Sequence, residues 1–369
     1  MRRIWDCTLL RHLILAAVAV VLLLLLTYEL ESFRNYQLAT VAVYLCATAG
    51  LTVLTGLNGQ VSLGHGALMA VGAYTVALTL NYLSDHSIAG GWTLPTALLL
   101  SILVTVVVGG VIGVAAARLR GPYLAGVTLA VAVVVPAVGT TFDGVFNGDQ
   151  GLPVAVGPAP IGLGFDFPYQ RWQAWIACAG AVVAMFALAN LVRSRVGRSL
   201  RAVRDDEVAA RLAGIHVART QVIAFVVSSA CAGLGGGLVA VLAQSVSPSA
   251  FSLTLSLYLV LAIVIGGLGS LAGALWGALV LVLLPELTTN IAEDLSLSPA
   301  AAQRLEGNLP LAILGLTLIV VMLVAPGGIQ GLLRRAGRWI GVRRPRRGAD
   351  PAGEPAPEPD APVPARPTA

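Results

Sequence analysis

An all-α, polytopic membrane fold is what this chain predicts, and three observations carry that expectation. Hydrophobic residues fill 57% of its 369 positions and charged residues only 11%, at a mean hydropathy of +0.85, so a soluble core would lack the polar surface to cover it. Apolar runs of about 20 residues, enough to cross a bilayer core, recur along nearly the whole length. The arginines sit at the ends of these runs and in two polar stretches.

About ten crossings, within a range of eight to eleven, can be drawn at roughly 13–30, 36–56, 62–83, 94–117, 122–141, 172–192, 220–244, 252–268, 271–289 and 309–326. The first follows Arg2, Arg3 and Arg11 and ends in Thr27-Tyr28-Glu29 rather than a small-residue cleavage site, so it reads as an uncleaved span. Positive charge marks cytoplasmic loops. Starting inside, the even crossings return the chain inside at 56–61, at Arg118 and Arg120, at 193–219, at Gly269 and at the tail. The outer connections then fall at 29–34, Asp85, 143–171 and 286–306, where arginines are few. This pattern puts both termini on the cytoplasmic side of the membrane.

The expected organisation is a basic flank and first span (1–35), a transmembrane domain (36–335) containing the charged segment 193–219, and a proline-rich tail (336–369). That tail has too little apolar content to fold and is expected to be disordered. Small residues at helical spacing, Gly109/Gly113, Gly233/Gly237 and Gly269/Gly273/Gly277, let spans pack closely.

The net charge of +5 comes from arginine alone, because the chain contains no lysine. Confinement of the arginines to segment ends fits a topogenic role, with membrane lipid as partner and no nucleic acid. Cys7, Cys46, Cys178 and Cys231 stand singly without ligand spacing, so no metal or cofactor is expected. Neither HExxH nor GxSxG occurs, and no catalytic residue is assigned.

Two stretches carry more information. In "GLNGQVSLGHGALMAVGAY" the polar residues Asn58, Gln60, Ser62 and His65 lie among glycines at the cytoplasmic end of the third span. Polar groups at membrane depth need partners and mark candidate translocation residues, although satisfying the backbone of an interrupted helix is an equal reading. Ala70, Ala73 and Ala77 continue the segment as a small-residue stripe. A proton relay through His65 would need a carboxylate partner in a span, and the acids within the spans as drawn, Glu29 and Glu286, sit toward their outer ends, away from the cytoplasmic end that holds His65.

The second stretch is "RSRVGRSLRAVRDDEVAARLAGIHVAR", residues 193–219, with seven arginines and three acids. Each arginine near the bilayer centre would cost about 2.5–3.5 kcal/mol, so the segment is cytoplasmic. Val196, Leu200 and Val203 make one short apolar face; the phase then breaks, and Val208, Leu212 and Ile215 make another. Asp205 or Asp206 can cap a new helix, Glu207 favours its first turn and Gly214 stops it, giving a second short helix over about 206–213. Such a capped helix between spans six and seven is either a docking element for another protein or an amphipathic surface anchor.

Together with "GGLGSLAGALWGA" at 266–278, these two stretches resemble the inner-membrane permeases of branched-chain amino acid ABC importers, the longer of their two permease types. The resemblance covers roughly 35–330 and implies that the membrane is the cell (inner, cytoplasmic) membrane. It implies that Arg204, Asp205, Asp206, Glu207, Ala209, Ala210 and Gly214 form a coupling helix docking on separate cytoplasmic ATPase subunits. The importer pattern is Glu-Ala-Ala, three residues, then Gly; here Val208-Ala209-Ala210 precedes Gly214 and Glu207 sits one residue early. It further implies a second permease subunit, the same chain or a relative, and an extracytoplasmic substrate-binding protein touching the 143–171 loop at Asn147, Asp149 and Gln150. A phosphate-binding loop needs a lysine that this chain lacks, which assigns ATP hydrolysis to other chains. Urea or short amides are the alternative cargo, and an ion-driven carrier or channel, which would want an intramembrane acid, is the alternative mechanism.

Overall fold

The computed structural model describes residues 8–341 apart from 89, 120–121, 161–166, 295–312 and the single positions 314, 317, 322, 324 and 326. Its elements are helices α1 (Thr8–Glu29), α2 (Ser32–Leu51, continued by a π-helical turn Thr52–Leu57), α3 (His65–Asp85), α4 (Thr93–Ala116), α5 (Pro122–Thr141), α6 (Tyr169–Arg193), α7 (Arg195–Asp205), α8 (Glu207–Leu212), α9 (Val217–Ala243), α10 (Leu253–Gly266), α11 (Leu271–Asp294) and α12 (Gly328–Gly341). A two-residue pair, β1 (Leu152–Pro153) against β2 (Ser245–Val246), is the strand structure among the described residues. The protein is all-α and polytopic.

Among the described residues eight helices are long and apolar enough to cross a membrane, and they match the first eight expected runs to within a few residues. The ninth run lies in α11, whose apolar stretch Leu271–Leu287 is shorter. The tenth, 309–326, falls in part outside the described residues. The chain divides into two compact units, Met1–Leu332 and Leu333–Ala369. The tail expected to be disordered from residue 336 is helical as far as Gly341, because α12 runs through that boundary.

Helix α9 forms the centre, packed along α2, α3 and α4. Its small residues explain how backbones come this close. A Cβ on Gly236 would strike the Met69 carbonyl of α3, and one on Gly233 would lie 2.6 Å from Thr105 Oγ1 of α4. Ser101 Oγ of α4 donates to the Gly233 carbonyl at 2.8 Å. In the same way Gly273 and Gly277 of α11 meet α10 at Gly266 and Ala262. By contrast, α1 leans on α6 alone among its neighbours in strength and turns most of its leucines outward, as lipid contact requires.

Contacts between connections sort into two ends of the bundle, as the alternating topology requires. At the arginine-rich end Arg204 reaches Gly56, and Gly269 lies against Gly56. At the opposite end β1 pairs with β2, and Asn81 Nδ2 donates to the Pro153 carbonyl at 2.8 Å. Arg171 Nε and Asn35 Nδ2 both donate to the Thr27 carbonyl, at 3.0 and 3.1 Å, closing the end of α1. One expectation changes here. Glu286, placed from sequence where the ninth run meets an outer connection, lies inside α11 and pairs with Arg34 Nη1 at 3.1 Å, so this carboxylate is on a helix and held by a cation.

Candidate functional site

The candidate site forms where α2 ends and α3 begins, because the chain between them cannot stay helical. The π-helical turn Thr52–Leu57 already widens the backbone, and Gly59 then takes φ +78°, a conformation glycine adopts without strain. The loop 58–64 closes on its own polar groups: Asn58 Nδ2 donates to Gln60 Oε1 at 2.8 Å, and Thr55 Oγ1 donates to the Gln60 carbonyl at 3.1 Å. The start of α3 lacks a side-chain cap of its own. Neighbouring helices supply one, since the Leu63 amide donates to Thr128 Oγ1 of α5 and the Gly66 amide to Ser256 Oγ of α10, both at 3.0 Å. An interrupted helix at membrane depth is thereby satisfied.

The four polar residues of this stretch divide into two pairs. Asn58 and Gln60 line a cavity of about 710 Å³ that also touches Arg204, Asp205, Glu207 and Gln221. Ser62 accepts from the Gly64 amide at 3.4 Å and is buried in the turn. His65 is fully buried, with Nε2 3.4 Å from Ser228 Oγ of α9 and Nδ1 without a partner, so it stands in the helix packing and outside the cavity lining. The Asn58 Oδ1 atom is also buried and without a hydrogen bond.

The charged segment folds as two helices in an elbow. Ser194 caps α7, its Oγ accepting from the Val196 and Gly197 amides at 3.1 and 3.4 Å. Leu200 and Val203 are buried beneath it. Asp206 adopts an extended backbone and caps α8, its Oδ1 accepting from Val208 N at 2.7 Å and Ala209 N at 3.0 Å. Gly214, at φ +81°, ends the element. The apolar face expected at Val208 and Leu212 is not buried: the two side chains are 66% and 86% exposed, while Ala210 packs inward against Val203 and Val217. The reason is brevity, because a six-residue helix can turn only one side to the protein.

Arg204 folds back onto the protein at its guanidinium although its side chain is still partly exposed. Its Nη1 donates to the Gly56 carbonyl at 2.7 Å, and its stem fills the space a side chain on Gly59 would need, 2.9 Å from that Cβ position. Nη2 and Nε reach Asp205 Oδ1 at 3.0 and 3.2 Å. Glu207 Oε1 accepts from Gln221 Nε2 of α9 at 3.1 Å, and Arg211 lies 3.6 Å from its other oxygen. The two stretches singled out in the sequence therefore share one cavity. Sequence reasoning missed the link between them, since nothing in the spacing of Gly56, Gly269 and Arg204 announces a contact across 148 positions.

At the opposite end Asn147 takes φ 59° and donates from Nδ2 to the Gly151 carbonyl at 2.7 Å. It turns the chain so that Asp149 and Gln150, on a 3-10 turn, are exposed. Part of the same connection, 161–166, lies outside the described residues. Cys46, Cys178 and Cys231 are buried free thiols, and among the described residues no three His, Cys, Asp or Glu side chains gather to hold a metal.

Comparison with known proteins places this geometry. The family model described as branched-chain amino acid transport system / permease component matches residues 35–322. The chain is 31% identical over 272 residues to the high-affinity branched-chain amino acid transport system permease protein LivM of Salmonella typhimurium, covering 68% of this chain and 62% of that relative. It therefore spans somewhat less than two thirds of that protein's length. It is 27% identical to the LivH permease protein of Escherichia coli, over 79% of this chain and 92% of LivH. The autoinducer 2 import system permease protein LsrC of Enterobacter sp. (strain 638) is 26% identical over 64% of the chain and 65% of that relative. No solved structure matches. The chain belongs to the family of branched-chain amino acid transport permeases.

Proposed function

We propose that this protein is the transmembrane permease subunit of an ABC importer for branched-chain or other small amino acids. It forms one half of the passage and carries out no chemistry on its cargo. A second permease subunit completes the passage, ATPase subunits on the cytoplasmic side drive it, and an extracytoplasmic binding protein delivers substrate at Asn147, Asp149 and Gln150. Both termini and the α7–α8 elbow face the cytoplasm on this reading.

The observation that carries it is the tip of α8. Val208 and Leu212 expose two large apolar side chains on a capped, charged helix at the arginine-rich end. Water is a poor environment for both, and a short apolar ridge edged by Asp205 and Arg211 fits a groove on a protein partner. Within the docking set Asp205 and Ala209 face outward, Asp206 and Gly214 shape the helix, and Glu207 and Ala210 seat it against α9 and α7. Arg204 then has a different task, joining the elbow to the 58–64 loop so that movement of one is felt by the other.

The test is co-purification. Wild-type protein extracted gently from its native membranes is expected to bring an ATPase chain with it, and Val208→Glu/Leu212→Glu is expected to lose that chain while keeping its own yield and melting behaviour. An ATPase retained by the double variant would remove the tip of α8 from the dock, and a wild type that brings no ATPase would remove the importer reading.

A further inference from the structure

The C-terminal helix α12 has no part in the function proposed above, yet its composition is strongly one-sided. Helical spacing places Ile329, Leu332, Leu333 and Ala336 within roughly a third of the circumference, and Arg334 and Arg335 on the other side. No acid occurs between 328 and 341. Leu332 and Leu333 are 41% and 47% exposed, so the protein leaves this apolar face largely open where it is described.

The root of the helix is held at the arginine-rich end. Gly328 takes φ +67° and lies so close to Gly267 that a Cβ would come within 2.6 Å of the Gly267 Cα. Trp276 Nε1 of α11 donates to Gln330 Oε1 at 3.1 Å. The last apolar run of the sequence, 309–326, ends two residues before α12 begins, and as an expected crossing it would put the start of the helix where hydrocarbon gives way to headgroups. An apolar face beside a purely cationic one, at that depth, matches an acyl boundary beneath anionic headgroups.

We propose that α12 is an interfacial anchor for anionic phospholipid: it lies in the headgroup layer, with Leu332 and Leu333 toward the acyl chains and Arg335 toward phosphate. A protein groove would also accept leucines, but it would not need a polar face without a single acid. The cationic side commits the helix to a surface of negative charge.

The test uses full-length protein in nanodiscs, with spin labels at Leu333→Cys or Arg335→Cys in a Cys7→Ser background; the described native cysteines are buried. In discs containing phosphatidylglycerol, the label at 333 is expected to collide several-fold more with dissolved oxygen than with an aqueous nickel chelate, and the label at 335 to show the reverse. Replacing Arg335 by glutamine, or phosphatidylglycerol by phosphatidylcholine, should shift the 333 label toward the aqueous reagent, about fivefold in docked ratio for the arginine removed. Equal exposure of 333 and 335 to water would overturn the anchor, and so would shielding of 333 from both reagents, which marks a protein cover. Indifference to phosphatidylglycerol would overturn the anionic partner. None of these readings depends on transport or on an ATPase, so they stand apart from the fate of the importer reading.

Discussion

Removing the Arg204 guanidinium is the perturbation that best separates docking from transmission. Arg204→Gln deletes the bond to the Gly56 carbonyl at 2.7 Å and the pairing with Asp205 at 3.0 Å. The second contact is worth little, because both side chains are substantially exposed, 43% and 65%. The first is a charge-assisted hydrogen bond to a partly buried carbonyl, in the class worth about 1.5–3 kcal/mol, and the exposure of Arg204 puts it near the lower bound. About 1.5 kcal/mol corresponds to roughly tenfold in the equilibrium linking the elbow to the 58–64 loop. The assay is the reconstituted complex in liposomes, measuring uptake and ATP hydrolysis together. The variant is expected to retain its ATPase by co-purification, to hydrolyse ATP at the unstimulated wild-type rate, and to lose roughly tenfold in uptake per ATP. Arg204→Lys should recover part of the loss, since it restores the charge without the planar fork. Release of the ATPase from the Gln variant would show that Arg204 belongs to the dock, and unchanged uptake per ATP would refute transmission through Gly56.

Two further outcomes test the framework around that link. Asp206→Ala removes the cap from Val208 and Ala209, a loss of about 1 kcal/mol, and should speed hydrogen exchange at those two amides roughly fivefold while Asp206→Asn leaves it near the wild-type rate. Gly236→Ala places a methyl group against the Met69 carbonyl, 2.6 Å from its carbon, and overpacking of this kind costs about 1–3 kcal/mol. Its melting temperature in detergent should fall, whereas Gly126→Ala, which meets no atom within 4 Å, should match the wild type.

The membrane fold was legible because hydrophobic period and arginine placement are local signals. Eight spans could be drawn to within a few residues, and the two contact-rich ends of the bundle follow from the same alternation. The elbow was legible too, since Asp206, Glu207 and Gly214 announce a cap, a first turn and a stop within a few positions. Direction of a side chain was not. Val208 and Leu212 read as an apolar face by periodicity, but only the structure shows that this face is turned away from the protein while Ala210 packs inward. Arg204 reads as one cation among seven, and only the meeting of Gly56, Gly59 and Gly269 around it makes a socket. His65 faces Ser228 in the packing, a neighbour 163 positions away that the residues beside it in the chain do not announce.

That socket also explains where motion can enter such a bundle. Helix α9 is interlocked with α3 and α4 through backbone contacts at Gly233 and Gly236 that leave no room to slide, and packed cores of this density move as bodies or not at all. The arginine-rich end is built differently. A cavity of about 710 Å³ lies between the elbow and the 58–64 loop, and beside it Arg204 sets its guanidinium on the Gly56 carbonyl and its stem against Gly59. Gly269 touches Gly56 beside that bond, and two residues earlier Gly267 touches Gly328 at the root of α12. On the proposed reading an ATPase pulling at Val208 and Leu212 therefore acts on the π-helical end of α2 before it acts on any span interior, and the connection between α10 and α11 relays the same displacement to α12. A helix seated in the headgroup layer would resist that displacement, so the anchor and the coupling elbow would press on one glycine-lined joint from its two sides.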